Sequence, residues 1–462
     1  MGAQAETEGG CGPGNGRRIG AATATLLVVA SMVGAGVFTT SGLLVAELRS
    51  SPAVLLAWLL GGLLALCGAL SYAELSAALP RNGGEYRLLS RVFHPAVGFT
   101  AGWISLIVGF SAPTAAAALA FGSYLRAVAP GVDPVAAAVA LTVGLTILHA
   151  LHVSVGCGLQ NTFTVFNVGL VLVFLFGGLL LGDVGTAFAG GAEPVSEAVV
   201  SPGFAVSLIF VSFAYAGWNG AAYLAGEIRT PARSVPRALL IGTAVVVVLY
   251  LGLNVVFLSA APAAQISGVV EVGHLAADRL FGDVGGRLLT GAIALALLTS
   301  ASAMMIAGPR VYQAMGEDHP ALSFLGYRTS WGGPAAAVVL QGTLALVMVL
   351  TSSFDALLTY LGLTLSVSAG LTVAGVIVLR RREPSLARPY RTWGYPVTPL
   401  LFLALSLWMV VHSVVQKPLA AIAAAATIVT GLALWVGLAR RRAAPAPAAR
   451  PEAEAALDGP AG

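Results

Sequence analysis

Two apolar segments are interrupted by small residues, Ser31-Met32-Val33-Gly34-Ala35-Gly36-Val37-Phe38 and Phe213-Ala214-Tyr215-Ala216-Gly217-Trp218-Asn219-Gly220. Each lies in a charge-free stretch long enough to cross a bilayer. A break in a helix frees N–H groups where its second half begins and carbonyls where its first half ends. The N–H groups form a partial positive pole that suits a carboxylate, and the carbonyls form the opposite pole, which suits an ammonium. Lipid offers these groups no partner, so such a break persists only where it lines a cavity or holds a ligand. Two breaks in matching halves of a chain point to a transporter's substrate site. Gly34 and Gly36 leave the main chain open to a ligand, because neither carries a Cβ. Asn219, a polar side chain at membrane depth, either serves the site or braces the break.

The elements that position these residues follow from composition. The chain has 462 residues, 57% hydrophobic and 10% charged, and a mean hydropathy of +0.88. No soluble domain hides that much apolar surface, so an all-α integral membrane protein in a lipid bilayer is expected. About twelve spans are expected: Ile19–Gly42, Pro52–Leu79, Ala96–Leu125, Pro134–Val153, Gly158–Leu181, Pro202–Gly226, Val235–Ala260, Leu288–Met315, Ala335–Thr351, Ala356–Leu379, Pro396–Val415 and Pro418–Ala439. With both ends on the same side, only Arg49, Arg126, Arg279, Arg287 and Lys417 of the 24 lysines and arginines fall in the opposite set of loops. The positive-inside rule then predicts cytoplasmic N- and C-termini in a multi-pass protein of the plasma or inner membrane. The tails 1–18 and 440–462 are polar or rich in Ala, Pro and Arg and read as disordered. No signal peptide is expected, because the first residues lack an apolar core.

Several function classes are excluded on residues alone. The net charge of +4 reflects arginines beside the inner leaflet and implies no nucleic acid partner. Cys11, Cys67 and Cys157 form no disulfide framework. There are no metal-ligand clusters, paired buried carboxylates or Ser-His-Asp set, so neither an enzyme nor a metal or other cofactor is expected. A phosphate-binding Gly-x-x-x-x-Gly-Lys-Ser/Thr loop is also missing. Gly61, Gly62, Gly177 and Gly178 read as helix packing contacts. His149 and His152 read as interfacial. Pro80-Arg81-Asn82-Gly83-Gly84 forms a tight turn, followed by a short surface helix with Tyr86, Leu89 and Phe93 on one face. The opposite loop, Ile266–Leu289, forms either a lid over an outer vestibule or a surface loop with a short helix.

Four motifs in register resemble the amino acid–polyamine–organocation superfamily, and its L-type members in particular. They are Gly34-Ala35-Gly36-Val37-Phe38; Tyr72-Ala73-Glu74-Leu75 with Pro80-Arg81-Asn82-Gly83-Gly84-Glu85-Tyr86; Phe213-Ala214-Tyr215-Ala216-Gly217-Trp218-Asn219 with Glu227, Pro231 and Pro236; and Gly308-Pro309-Arg310-Val311-Tyr312. The resemblance covers residues 19–439 and implies a LeuT-type fold. Two inverted five-helix repeats, 19–182 and 202–379, would carry broken helices 1 and 6, and two peripheral helices would occupy 396–439. It implies an amino acid substrate, with Ala35 and Gly36 N–H groups on the carboxylate and the carbonyls of Met32, Phe213 and Ala216 on the amine. Phe213 is positioned like the family's aromatic gate. Glu74 and Glu227, beside arginine-rich loops, would latch an inner gate or form interfacial ion pairs.

The resemblance departs at one point. Many members carry a lysine in the fifth helix, and the matching position here is Asn167. Asn cannot titrate, but its amide can donate to first-helix carbonyls. Thr299, Ser300 and Ser302 place hydroxyls where sodium-coupled relatives have them, although bonding back to their own helix is the commoner use. The expected function is therefore secondary active or exchange transport of amino acids by alternating access, without lysine-linked proton coupling. A polyamine or organic amine transporter of the same fold, and a membrane nutrient sensor that does not transport, are the alternatives. No protein partner is readable.

Overall fold

The computed structural model describes residues 19–151, 153–189, 193–327 and 334–443, with side chains over the same residues except 153–164 and 440–443. His152 and Arg328, and the side chain of Cys157, lie outside the description. In chain order the helices are α1 (Ala21–Met32), α2 (Ala35–Thr39), α3 (Ser41–Leu48), α4 (Ser51–Ala78), α5 (Gly84–Val92), α6 (Pro95–Ile104), α7 (Ala112–Val128), α8 (Pro134–Leu151), α9 (Val153–Leu181), α10 (Val184–Phe188) and α11 (Val195–Val200). The second half continues with α12 (Pro202–Ala214), α13 (Gly220–Tyr223), α14 (Pro231–Ala260), α15 (Ala263–Ile266), α16 (Val272–Asp318), α17 (Ala335–Thr351), α18 (Phe354–Arg382), α19 (Val397–Gln416) and α20 (Pro418–Ala443). Among the described residues no β-strand occurs, only an isolated bridge between Ile19 and Ile228.

Prolines open α4, α6, α12 and α14 within the first two positions, where the missing N–H costs nothing. The His94 ring caps α6 through Ala96 N–H, and the Ser201 hydroxyl caps α12 through Phe204 N–H. A π-helical turn, Ser105–Ser111, joins α6 to α7. Its extra residue is accommodated by the Ser111 hydroxyl, which donates to Leu106 O at 2.7 Å.

Nine described helices are long and apolar enough to cross a membrane, and Val165–Leu181, Pro202–Ala214 and Ala335–Thr351 are shorter apolar helices. Pro202–Ala214 is short for a physical reason: its span is cut by the second glycine break. Large side chains such as Leu180 and Val165 are 85% and 73% exposed, which suits a lipid solvent rather than water.

The helices pack in pairs drawn from the two halves of the chain. α4 lies along α14, α7 along α16, and α8 along α17, while α1 packs on α14. α19 covers α18 and α12, and α20 covers α6 and α18. At the centre, Trp58, Tyr215 and Tyr250 stack with ring centroids 5.2–5.6 Å apart and tie α4 and α14 to the second break. The two Trp58 contacts are edge-on, an arrangement that adds stabilisation beyond buried area.

The Ile266–Leu289 segment is largely helical. α16 begins at Val272, and a non-helical Gly282 (φ 68°, ψ 179°) separates that first stretch from the span proper.

Candidate functional site

α1 ends at Met32, and its last regular bond runs from Val33 N–H to Val29 O at 2.9 Å. Val33 (ψ 99°) and Gly34 (φ −152°) carry the chain out of register before α2 starts at Ala35. Thr40 keeps right-handed angles, so α2 and α3 together form the second half of this helix. In the second segment α12 ends at Ala214 and the chain turns through Gly217 at φ +103°. A left-handed angle there favours glycine.

The two breaks interlock. A Cβ on Gly36 would lie 2.4 Å from Ala214 Cα, and one on Gly217 would lie 2.3 Å from Ser31 O. The start of α2 therefore rests on the end of α12, and the Gly217 turn rests on the end of α1. The segments that carry Met32, Gly34, Ala35 and Gly36 and those that carry Phe213 and Ala216 are thus brought side by side from opposite halves of the chain. The Phe213 side chain is buried.

The freed groups already have some partners. The Tyr250 hydroxyl donates to Met32 O at 2.6 Å and lies against Gly34 N–H, so one phenol bridges the first break. Phe213 O accepts from Ala216 N–H at 2.9 Å. Each carbonyl retains a second lone pair. Asn219 turns away from this junction, and its amide donates to Glu85 Oε1 at 3.3 Å.

Asn167, Ser300 and Ser302 do not converge. The Asn167 amide donates to Thr299 Oγ1 at 3.0 Å, joining α9 to α16 rather than reaching the first-helix carbonyls, and its buried Oδ1 has no partner among the described residues. Ser300 faces the first break, with its hydroxyl 2.7 Å from where a Gly34 Cβ would stand. Ser302 bonds instead to His149 Nε2 at 2.9 Å. His149 is thus buried between α8 and α16 and not interfacial as the sequence suggests, because α16 supplies a polar partner at its depth. Among the described residues no group of three His, Cys, Asp or Glu could hold a metal ion.

One face of the bundle gathers arginines. Glu74 is buried and takes a bidentate bond from Arg380 at 2.8 and 2.6 Å, plus Thr392 N–H at 2.7 Å. This is the strong, planar form of ion pair. Glu227 accepts from Asn82 Nδ2 at 3.2 Å, while its main-chain carbonyl accepts Ile19 N–H at 3.1 Å. Gly226 N–H donates to Asn82 Oδ1, and Gly83 N–H to Tyr223 O. These bonds join the turn at Asn82 and Gly83 to the chain that follows the second break.

The sequence reading overlooks Glu85. Although α5 is a connecting helix, Glu85 is buried and accepts from Tyr72 Oη at 2.6 Å, from Asn219, and from the Ser368 hydroxyl. A usable signal is present: Glu85 shares its helical face with the buried Leu88, Leu89 and Val92, at the i, i+3, i+4 and i+7 spacing of a core-facing stripe.

On the opposite face Tyr124 Oη donates to Phe38 O at 2.6 Å and accepts from Gly273 N–H at 3.0 Å. This ties the first stretch of α16 to α2 beside an open cavity of about 400 Å³ lined by Arg126, Glu271, His274, Asp278 and Arg279.

A match to the Amino acid permease family spans residues 19–438. The chain belongs to the amino acid permease family. It is 28% identical to the serine/threonine exchanger SteT of Bacillus subtilis (strain 168), over 92% of this chain and 98% of that one. It is 26% identical to the b(0,+)-type amino acid transporter 1 of Mus musculus, over 87% and 83%. Identity to the large neutral amino acids transporter small subunit 2 of Homo sapiens is 27%, over 92% and 81%. These relatives are transporters and not enzymes, so the permease described here is a multi-pass membrane protein of a transport family.

Proposed function

We propose that this permease exchanges amino acids by alternating access, with the α-carboxylate on the N–H groups of Ala35 and Gly36 and the α-amine on the carbonyls of Met32, Phe213 and Ala216. The interlock of the two breaks, Gly36 on Ala214 and Gly217 on Ser31, carries this reading. It sets the positive pole of one helix half beside the carbonyl pole of another, which matches a zwitterion with both charges on neighbouring atoms. The named substrates of the relatives, serine and threonine in one and large neutral amino acids in another, favour a neutral side chain.

The pairing of α4 with α14, α7 with α16 and α8 with α17 supports two inverted repeats at 19–182 and 202–379, with 396–439 peripheral, in a twelve-helix LeuT-type bundle. The arginine-rich face is the cytoplasmic one by the positive-inside rule. Phe213 closes over the substrate from the other side, and Glu74 and Glu227 hold the arginine-rich side shut.

Exchange proceeds without a sodium or proton gradient. Asn167 cannot titrate, Ser302 is held by His149 Nε2, and of the two hydroxyls only Ser300 faces the first-break carbonyls, one of which already accepts from Tyr250. Purified protein in liposomes is expected to swap internal for external serine, threonine or leucine with no imposed ion gradient. Uptake that appears only with a sodium gradient overturns this.

A further inference from the structure

Glu85 is a buried carboxyl group ringed by neutral donors. Tyr72 on α4, Asn219 at the second break and Ser368 on α18 bond to it directly. The phenol of Tyr223 on α13 lies close enough to interact with it electrostatically, and Tyr72 is held in turn by the Thr372 hydroxyl on α18. The cations that approach α5 are already paired elsewhere. Arg87 binds Asp318 and Arg91 binds Glu383, each at 2.6 Å, and Arg380 on α18 binds Glu74 at 2.6 Å. Among the described residues no arginine, lysine or histidine pairs with Glu85.

We propose that Glu85 is a proton-binding site built into the gate of the arginine-rich face, neutral while that face is closed and ionised when it opens, so that acid holds the gate shut. The inference rests on the alternating-access reading above.

The Glu85 position explains the link. α5 follows the turn at Asn82 and Gly83, whose bonds to Glu227, Gly226 and Tyr223 close the face. Opening must part those bonds and lift Asn219 and Tyr223 from the carboxyl, which then meets water. A buried carboxylate without a counter-charge is costly, whereas a hydrated one is not. Burial pushes the Glu85 carboxyl above its ordinary range, against the lowering effect of its three donors. On opening it returns towards its ordinary range. The closed form therefore binds the proton more tightly. Its extra stability is present in acid and is lost as pH rises through the raised value. The proton enters from and returns to the same face, so no net proton movement accompanies exchange.

The test uses the full chain in detergent and in liposomes. Glu85→Gln mimics the neutral acid and keeps its size. Between pH 7.5 and 5.5 the wild-type exchange of serine is expected to slow about fivefold or more, while Glu85→Gln stays slow and flat. In detergent, the melting temperature of wild type relative to Glu85→Gln is expected to rise as pH falls. Ser368→Ala removes one donor to the anion and is expected to move the wild-type midpoint to higher pH. A Glu85→Gln protein that keeps the wild-type pH profile, a melting difference that is constant with pH, or an unmoved midpoint in Ser368→Ala each overturns the proposal. The melting arm needs no substrate, so a protein that exchanges no amino acid fails the transport reading without deciding this one.

Discussion

Gly36→Ala is the smallest change that attacks the junction of the two breaks. Its new methyl would stand 2.4 Å from Ala214 Cα, 2.7 Å from Ala214 Cβ and 3.3 Å from Ala214 N, where ordinary contact begins at 3.4 Å. The obstacle is main chain, which cannot rotate aside, so α2 and α12 must part by about 1 Å to relieve the overlap. Overpacking of this kind costs roughly 1–3 kcal/mol. Spent on the balance between apposed and separated helix halves, that is a factor of about 5 to 150. Gly34→Ala is the control for merely adding a methyl near the break. Its Cβ meets the Ser300 hydroxyl at 2.7 Å, a group that can leave its rotamer for about 0.5–1.5 kcal/mol. Melting of purified protein in detergent should rank wild type above Gly34→Ala above Gly36→Ala, and amino acid exchange in liposomes should fall 5- to 150-fold or more in Gly36→Ala. Gly36→Ala with wild-type melting and wild-type exchange would refute the apposition on which the site depends.

Tyr250→Phe removes the hydroxyl that donates to Met32 O and should cost about 1–3 kcal/mol for a buried acceptor left unsatisfied, read as a lower melting temperature with the aromatic stack intact. Ala216→Gly should admit larger or more branched amino acids, a shift of at most roughly 1–3 kcal/mol for a methyl-sized change; competition assays with an unchanged substrate ranking would count against its place in the pocket. Glu74→Gln should destabilise by less than the roughly 3–5 kcal/mol of a fully buried pair, because the Arg380 side chain is 20% exposed; no loss of thermal stability would show the bidentate bond to be dispensable.

Where the sequence was legible, the signal was local. Glycines at Gly34, Gly36 and Gly217 interrupt runs with no other reason to break, and both interruptions occur where expected. The charge-free stretches mark helices for the same reason, since a run of apolar residues in lipid can only satisfy its backbone internally. Partner choice was not legible. Asn167 has several oxygens within a helix turn of the site, and only the rotation of α16 decides that Thr299 receives its amide while Ser302 turns to His149. Glu85 lies in what reads as a connection, and its burial depends on α4, α13 and α18 arriving from three distant parts of the chain. Tyr250 reads as one aromatic among many in a membrane helix until its hydroxyl is found on the Met32 carbonyl.

The two faces of the bundle are closed by different chemistry. Opposite the arginines, beside the charged cavity, α2 and α3 are closed through neutral groups: Gly268 N–H donates to Gly42 O at 2.8 Å, Tyr124 Oη joins Phe38 O to Gly273 N–H, and a Cβ on Gly42 would strike Val269 O at 2.0 Å. On the arginine-rich side the closure runs through carboxyl groups, with Glu74 on Arg380, Glu227 on Asn82 and Glu85 among hydroxyls and an amide. Salt screens exposed charge and pH changes it, whereas a backbone carbonyl on a glycine N–H responds to neither. The interlocked breaks at Gly36 and Gly217 lie between these two closures. On the reading proposed above, a carboxyl built into one closure makes the opening of that face follow the chemistry of its own compartment, while the main-chain contacts at Gly42, Phe38 and Gly273 leave the other to answer chiefly to the fit of the substrate.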